Sequence, residues 1–152
     1  MIVEGLLTGW ALAIAAIDLR QRRVPNLALL LVLVPASLAL IVNSQGLLAS
    51  SVSSSLIAAA SLLALGLPGY WLRRLGAGDV KFAACLGLLL GFARGVEMLL
   101  IAFLLMGVAA VVMTVRGLPR GARFAAAPSF ALGFVIEMFA GPLLPVWQGG
   151  AR

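Results

Sequence analysis

The run Leu27-Ala-Leu-Leu-Leu-Val-Leu-Val-Pro-Ala-Ser-Leu-Ala-Leu-Ile-Val-Asn43 holds no charged side chain. A helix needs about 20 apolar residues to cross a hydrocarbon core, with a range of roughly 17–25, so this stretch is long enough to span. Outward from it, five more runs share its character: 2–18, 52–72, 79–94, 96–115 and 124–146. Composition agrees. The 152-residue chain is 63% hydrophobic and 11% charged, with a mean hydropathy of +1.16. Soluble domains run nearer half apolar with about a quarter charged. Inside a bilayer only helices and closed barrels satisfy the backbone, and the dyad alternation of a barrel is absent. The expected fold is therefore all-α: one integral-membrane domain, residues 1–152, with six transmembrane helices. The 79–94 run is short, and Gly91 and Gly95 blur its border with the next. Pro68-Gly69 points to a kink or early end of the third helix. No positive charge precedes the first run, so it reads as a retained helix rather than a cleaved signal.

The loops supply orientation. Arg20, Arg22 and Arg23 follow the first run; Arg73, Arg74 and Lys81 bracket the third-to-fourth connection; Arg116, Arg120 and Arg123 fill the fifth-to-sixth. Nine of the eleven Lys and Arg residues thus fall on one side of an alternating path, with Arg94 and Arg152 left over. By the positive-inside rule that side is cytoplasmic and both termini lie on the far side. The same rule accounts for the net charge of +6 without a nucleic-acid partner; lipid is the partner of most of the surface. A lone Cys85 and the lack of histidine exclude a disulfide framework, Cys- or His-based metal sites and a Ser-His-Asp triad.

Against this background two of the five acidic residues stand out: Asp18, in Asp-Leu-Arg-Gln-Arg-Arg-Val-Pro-Asn (18–26), and Asp79, in Gly-Ala-Gly-Asp-Val-Lys (76–81). Ionisable groups at a membrane boundary are costly and mark function by default. Asp18 closes the first helix and Asp79 opens the fourth, which puts them at one depth and one face. They can meet if those two helices are neighbours. Each has a plain structural role open to it: Asp79 as a helix N-cap, Asp18 as a boundary charge facing Arg20, Arg22 or Arg23. As a pair they fit aspartyl proteolysis, in which one carboxylate activates water and one carboxylic acid polarises the carbonyl. Gly76 and Gly78 would let a substrate strand approach the backbone closely.

The two stretches resemble the motifs of the type IV prepilin peptidases, the bacterial Gly-x-Gly-Asp membrane aspartyl proteases. Asp18, Arg20, Pro25 and Asn26 fit the first motif, and Gly76, Gly78, Asp79 and Lys81 fit the second. The stretch Ala125–Gly133 is similar to the proline-containing entry to that family's last helix. Larger members carry an N-terminal segment with paired Cys-x-x-Cys, associated with N-methylation. This chain lacks it and is similar to the short peptidases of tight-adherence (Flp) pili, so methyltransferase activity is not expected. The resemblance implies catalytic Asp18 and Asp79, with Arg20, Pro25, Asn26, Gly76, Gly78 and Lys81 in support. It implies no metal or organic cofactor, and a prepilin or pseudopilin substrate cut at the cytoplasmic boundary.

The alternative of another class is a small ion- or proton-coupled transporter with Asp18 and Asp79 as cation ligands. Transport sites tend to lie mid-membrane, whereas both aspartates lie at one edge. Glu97 and Glu137 read as interfacial acids near helix ends. Ser50–Ser55 reads as a loop and helix start, since no base accompanies it, and Lys81 as a snorkelling cation. The small residues Ala58-Ala59-Ala60-Ser61 and Gly87–Gly91 suit close helix packing, within the chain or between two copies in a homodimer.

Overall fold

The computed structural model describes residues 2–21, 23–73, 75–117 and 126–143. Its helices are α1 (Ile2–Gln21), α2 (Asn26–Asn43), α3 (Val52–Trp71), α4 (Ala77–Leu90), α5 (Phe92–Val115) and α6 (Ala127–Ala140). There is no strand among the described residues, so the protein is an all-α polytopic membrane protein. Arg22, Arg74, Arg120, Arg123, Arg152, Ala125 and the end of the expected sixth span lie outside the described residues.

Four helices, α1, α2, α3 and α5, are long and apolar enough to cross a membrane. The other two are shorter than the expected spans: α4 and α6 have 14 residues each, about 21 Å at 1.5 Å per residue. The break that shortens α4 is at Gly91, whose φ of +79° an L side chain rarely adopts. The chain re-enters a helix at Phe92, whose amide donates to Ser54 Oγ at 2.8 Å. Ser51 caps α3 by accepting from Ser54 N, so the serine cluster shapes helix ends, as expected of it. Pro68-Gly69 does not end α3, which runs on to Trp71; the Pro68 carbonyl still accepts from Leu72 N.

Short α4 is the centre of the bundle. It packs against α2, α3, α5 and α6, and Val80, Phe82, Ala83 and Cys85–Leu90 are all buried. Its tightest neighbour is α3, where a Cβ on Gly87 would lie 3.2 Å from the Ala58 carbonyl carbon. The small residues therefore serve packing within the chain. The outer faces remain apolar: Leu31, Val34, Leu38 and Ile41 of α2 and Leu104, Val108 and Val111 of α5 are exposed. In water such a surface would aggregate; in lipid it is solvated.

The first helix packs chiefly on α6. It touches α4 through Trp10 and Phe82, whose rings meet edge-to-face with centroids 5.6 Å apart. The same indole donates to the Ala28 carbonyl at 2.7 Å, tying α1 to the start of α2. The two aspartate-bearing helix ends thus come together around the beginning of α6.

Candidate active site

Why Asp18 points inward follows from helix periodicity. The buried residues of α1 are Leu7, Ala11, Ile14, Ala15 and Asp18, a single stripe at three- and four-residue steps. Asp18 is the last member of that stripe. The helix continues one turn beyond it, to Gln21, instead of ending there. Its carboxyl is therefore aimed into the bundle and is only 4% exposed. Arg20, two residues on, is exposed and takes no part in the cavity. Of the arginines a boundary charge could face, Arg20 lies off the cavity, Arg23 lines it with Asp18, and Arg22 is outside the described residues.

Asp79 is placed by its helix end. It is the third residue of α4, and its Oδ2 accepts from Gly76 N at 3.1 Å. That bond occupies one oxygen and leaves Asp79 8% exposed. Asp79 Oδ1 and Asp18 Oδ2 are buried without a hydrogen-bond partner. An unsatisfied buried polar atom costs about 1–3 kcal/mol and calls for a functional or solvent explanation.

Both carboxyls line one cavity of about 340 Å³, with Arg23, Val24, Asn26, Gly76, Ala77, Gly78 and Lys81. Residues 61 positions apart in sequence are thereby joined. The rim is joined too: Lys81 Nζ donates to Asn26 Oδ1 at 3.5 Å, a weak link between the two motifs. So Lys81 does more than snorkel. Pro25 stays outside the cavity, and its carbonyl accepts from Ala28 and Leu29 at the start of α2.

The two glycines are tightly surrounded by the chain itself. A Cβ on Gly78 would fall 2.8 Å from Val24 Cβ and 3.4 Å from the Val24 backbone. Gly78 thus makes room for the chain's own α1–α2 connection, and with Gly76 it also lines the cavity. Gly76 gives its amide to Asp79, and a Cβ there would sit 3.1 Å from Asp79 Oδ2.

Sequence reasoning undervalued one element. The backbone amide of Ala127, the first residue of α6, interacts with both Asp18 and Asp79. The proline just inside a helix start, Pro128, was the available signal. Arg23, Val24 and Ala77 were also missed as lining residues, although each adjoins a motif residue.

The fold and the cavity define a class: a multi-pass helical membrane protein with a paired-carboxyl site at one end of its bundle. A family model described as the type IV leader peptidase family matches residues 5–111, a span that includes both aspartates. The chain belongs to the type IV leader peptidase family, and its general role is that of a peptidase. No curated protein and no solved structure matches it.

Proposed function

We propose that the protein is an aspartyl endopeptidase that removes the basic leader of Flp-type prepilins or pseudopilins at the cytoplasmic boundary of the bacterial inner membrane, with Asp18 and Asp79 as its catalytic pair. One observation carries the reading: two carboxyls from distant motifs, each with a buried oxygen lacking a hydrogen-bond partner, face one cavity. Two such groups side by side share a proton, since ionising both is expensive, and they titrate as a unit.

That shared proton sets the chemistry. The ionised member takes a proton from a water held between the two groups, and the water oxygen bonds to the scissile carbonyl carbon. The protonated member gives its proton to the carbonyl oxygen. Collapse of the tetrahedral species breaks the C–N bond: the carboxyl that gained the water proton passes it to the leaving amine, and the other carboxyl takes back a hydroxyl proton as the new carbonyl forms. The start of α6, at Ala127, presents a backbone amide toward both carboxyls. Water is the nucleophile, and the step calls for neither metal nor organic cofactor. The excess of Lys and Arg near this end supports a cytoplasmic site with both termini on the opposite side.

The test is co-expression with an epitope-tagged prepilin from the same organism, comparing wild type with Asp18→Asn and Asp79→Asn by gel mobility. Asn is nearly isosteric and cannot ionise. Cleavage by wild type alone is the expected result. Normal-rate cleavage by either variant would remove the pair from the chemistry.

A further inference from the structure

Helices α2 and α3 both pack on α4 but make no comparable contact with each other. The gap between them is a slot of about 530 Å³ whose floor is α4. Lys81, Ala84, Cys85 and Leu88 form the floor at helical spacing, two turns deep. Leu29, Leu33 and Ser37 of α2 make one wall, and Ala59 and Leu63 of α3 the other. Apart from Ser37 the interior is apolar. Its polar end is Asn26 and Lys81, and those two residues also line the cavity that holds Asp18 and Asp79. The slot and the carboxyl cavity are therefore continuous through a shared rim.

That continuity constrains the occupant. A chain cut between Asp18 and Asp79 must leave the cavity in two directions. One leads outward past exposed Arg23, and the other leads over the Asn26–Lys81 rim into the slot. Within the slot almost no hydrogen-bond partner is available for a backbone, so a segment lying there must satisfy its own amides and carbonyls. Only a helix does so. Its side chains must also be apolar, to match Leu29, Leu33 and Leu88. We infer that the slot between α2 and α3 is the docking lane for an apolar helical segment of the peptide substrate, held on α4 immediately beyond the scissile bond. This rests on the peptidase reading above and adds where, and in what conformation, the membrane part of the substrate binds.

Cys85 in the slot floor is buried, so the probe is a cysteine at its half-buried neighbour, Ala84→Cys with Cys85→Ser. In full-length protein that also carries Asp79→Asn, which keeps substrate uncut, single cysteines placed along the apolar segment of a prepilin would be oxidised against the cysteine at position 84 in lipid nanodiscs. Disulfides at three- and four-residue intervals are expected. A companion measurement uses Ala84→Trp, which fills the slot, on the Asp18/Asp79 background. It compares kcat/KM for the membrane-embedded prepilin with that for a short soluble peptide covering only the leader and cut site. The ratio should fall at least tenfold. Cross-links without helical spacing, or an unchanged ratio, would overturn the docking lane while leaving the peptidase intact; an acyl chain as the natural occupant gives that result. If wild type cuts neither substrate, the peptidase reading fails and the lane falls with it.

Discussion

Two pairs of buried carboxyls sit at opposite ends of the bundle, and their surroundings differ. Asp18 and Asp79 face a cavity, and among the described residues neither forms an ion pair. At the other end of α4, Glu97 and Glu137 meet each other and an arginine. Arg94 Nε lies 3.6 Å from Glu137 Oε2, and an Arg94 terminal amine donates to the Glu137 carbonyl at 2.6 Å. Glu97 Oε2 accepts from Leu143 N at 2.7 Å. The glutamates are engaged with cation and backbone, which fastens α5 to α6 and to the chain that follows. Buried acids with side-chain oxygens that accept no hydrogen bond are common to both ends, at Asp18, Asp79 and Glu137. What separates the ends is the Arg94 cation beside Glu137 and the open cavity before Asp18 and Asp79.

The sharpest way to break this contrast is to neutralise each pair. Asp18→Asn or Asp79→Asn should lower cleavage of a prepilin by about 10³-fold, within the range for loss of a general acid or base. Glu137→Gln should leave the rate within a few fold. Equal losses at both ends would erase the distinction. The next largest effect is on stability. Arg94→Met strips the cation from fully buried Glu137, and breaking a buried pair costs roughly 3 kcal/mol. The thermal midpoint in detergent should fall, and adding Glu137→Gln should restore most of it. No restoration would mean that Arg94 acts through its bond to the Glu137 carbonyl instead.

Smaller changes sharpen the active end. Gly78→Ala drives a methyl against Val24 and shifts the α1–α2 connection, so activity should fall roughly 10–100-fold, as for small misplacements near a reacting centre. Val24→Gly on that background should recover part of it, because the clashing Cβ is gone. A substrate-approach role for Gly78 predicts no recovery. Smallest is Lys81→Gln. Its long bond to Asn26 is exposed, and such contacts are worth under about 1 kcal/mol, so kcat/KM should change by less than about fivefold.

Much of the fold was legible because transmembrane helices announce themselves by length and apolarity. The α2, α3 and α5 boundaries fall within a few residues of the expected runs. The α4–α5 break was visible as glycines but not locatable, since what fixes it is the Ser54 hydroxyl waiting for the Phe92 amide, a contact across 38 residues. Asp18 and Asp79 stood out by rarity. That they face one cavity depends on the buried stripe of α1, which is hard to see when every face of the helix is apolar. The pairing of Arg94 with Glu137 was invisible for a similar reason: it requires knowing that α5 and α6 lie side by side. Ala127 was underweighted because a backbone amide leaves no residue-type signature at all.

Helix α6 has a consequence for the surrounding lipid. It turns Leu132, Ile136 and Phe139 outward as a continuous apolar stripe, yet its helical length is about 21 Å against a hydrocarbon thickness of about 30 Å. A span that falls short is accommodated by flanking side chains that snorkel or by a bilayer that thins. No Lys or Arg lies within α6 itself, so a snorkelling cation has to come from the residues that flank it. Because α6 begins at Ala127, beside Asp18 and Asp79, whatever adjustment the bilayer makes to this short helix is made at the edge of the carboxyl cavity.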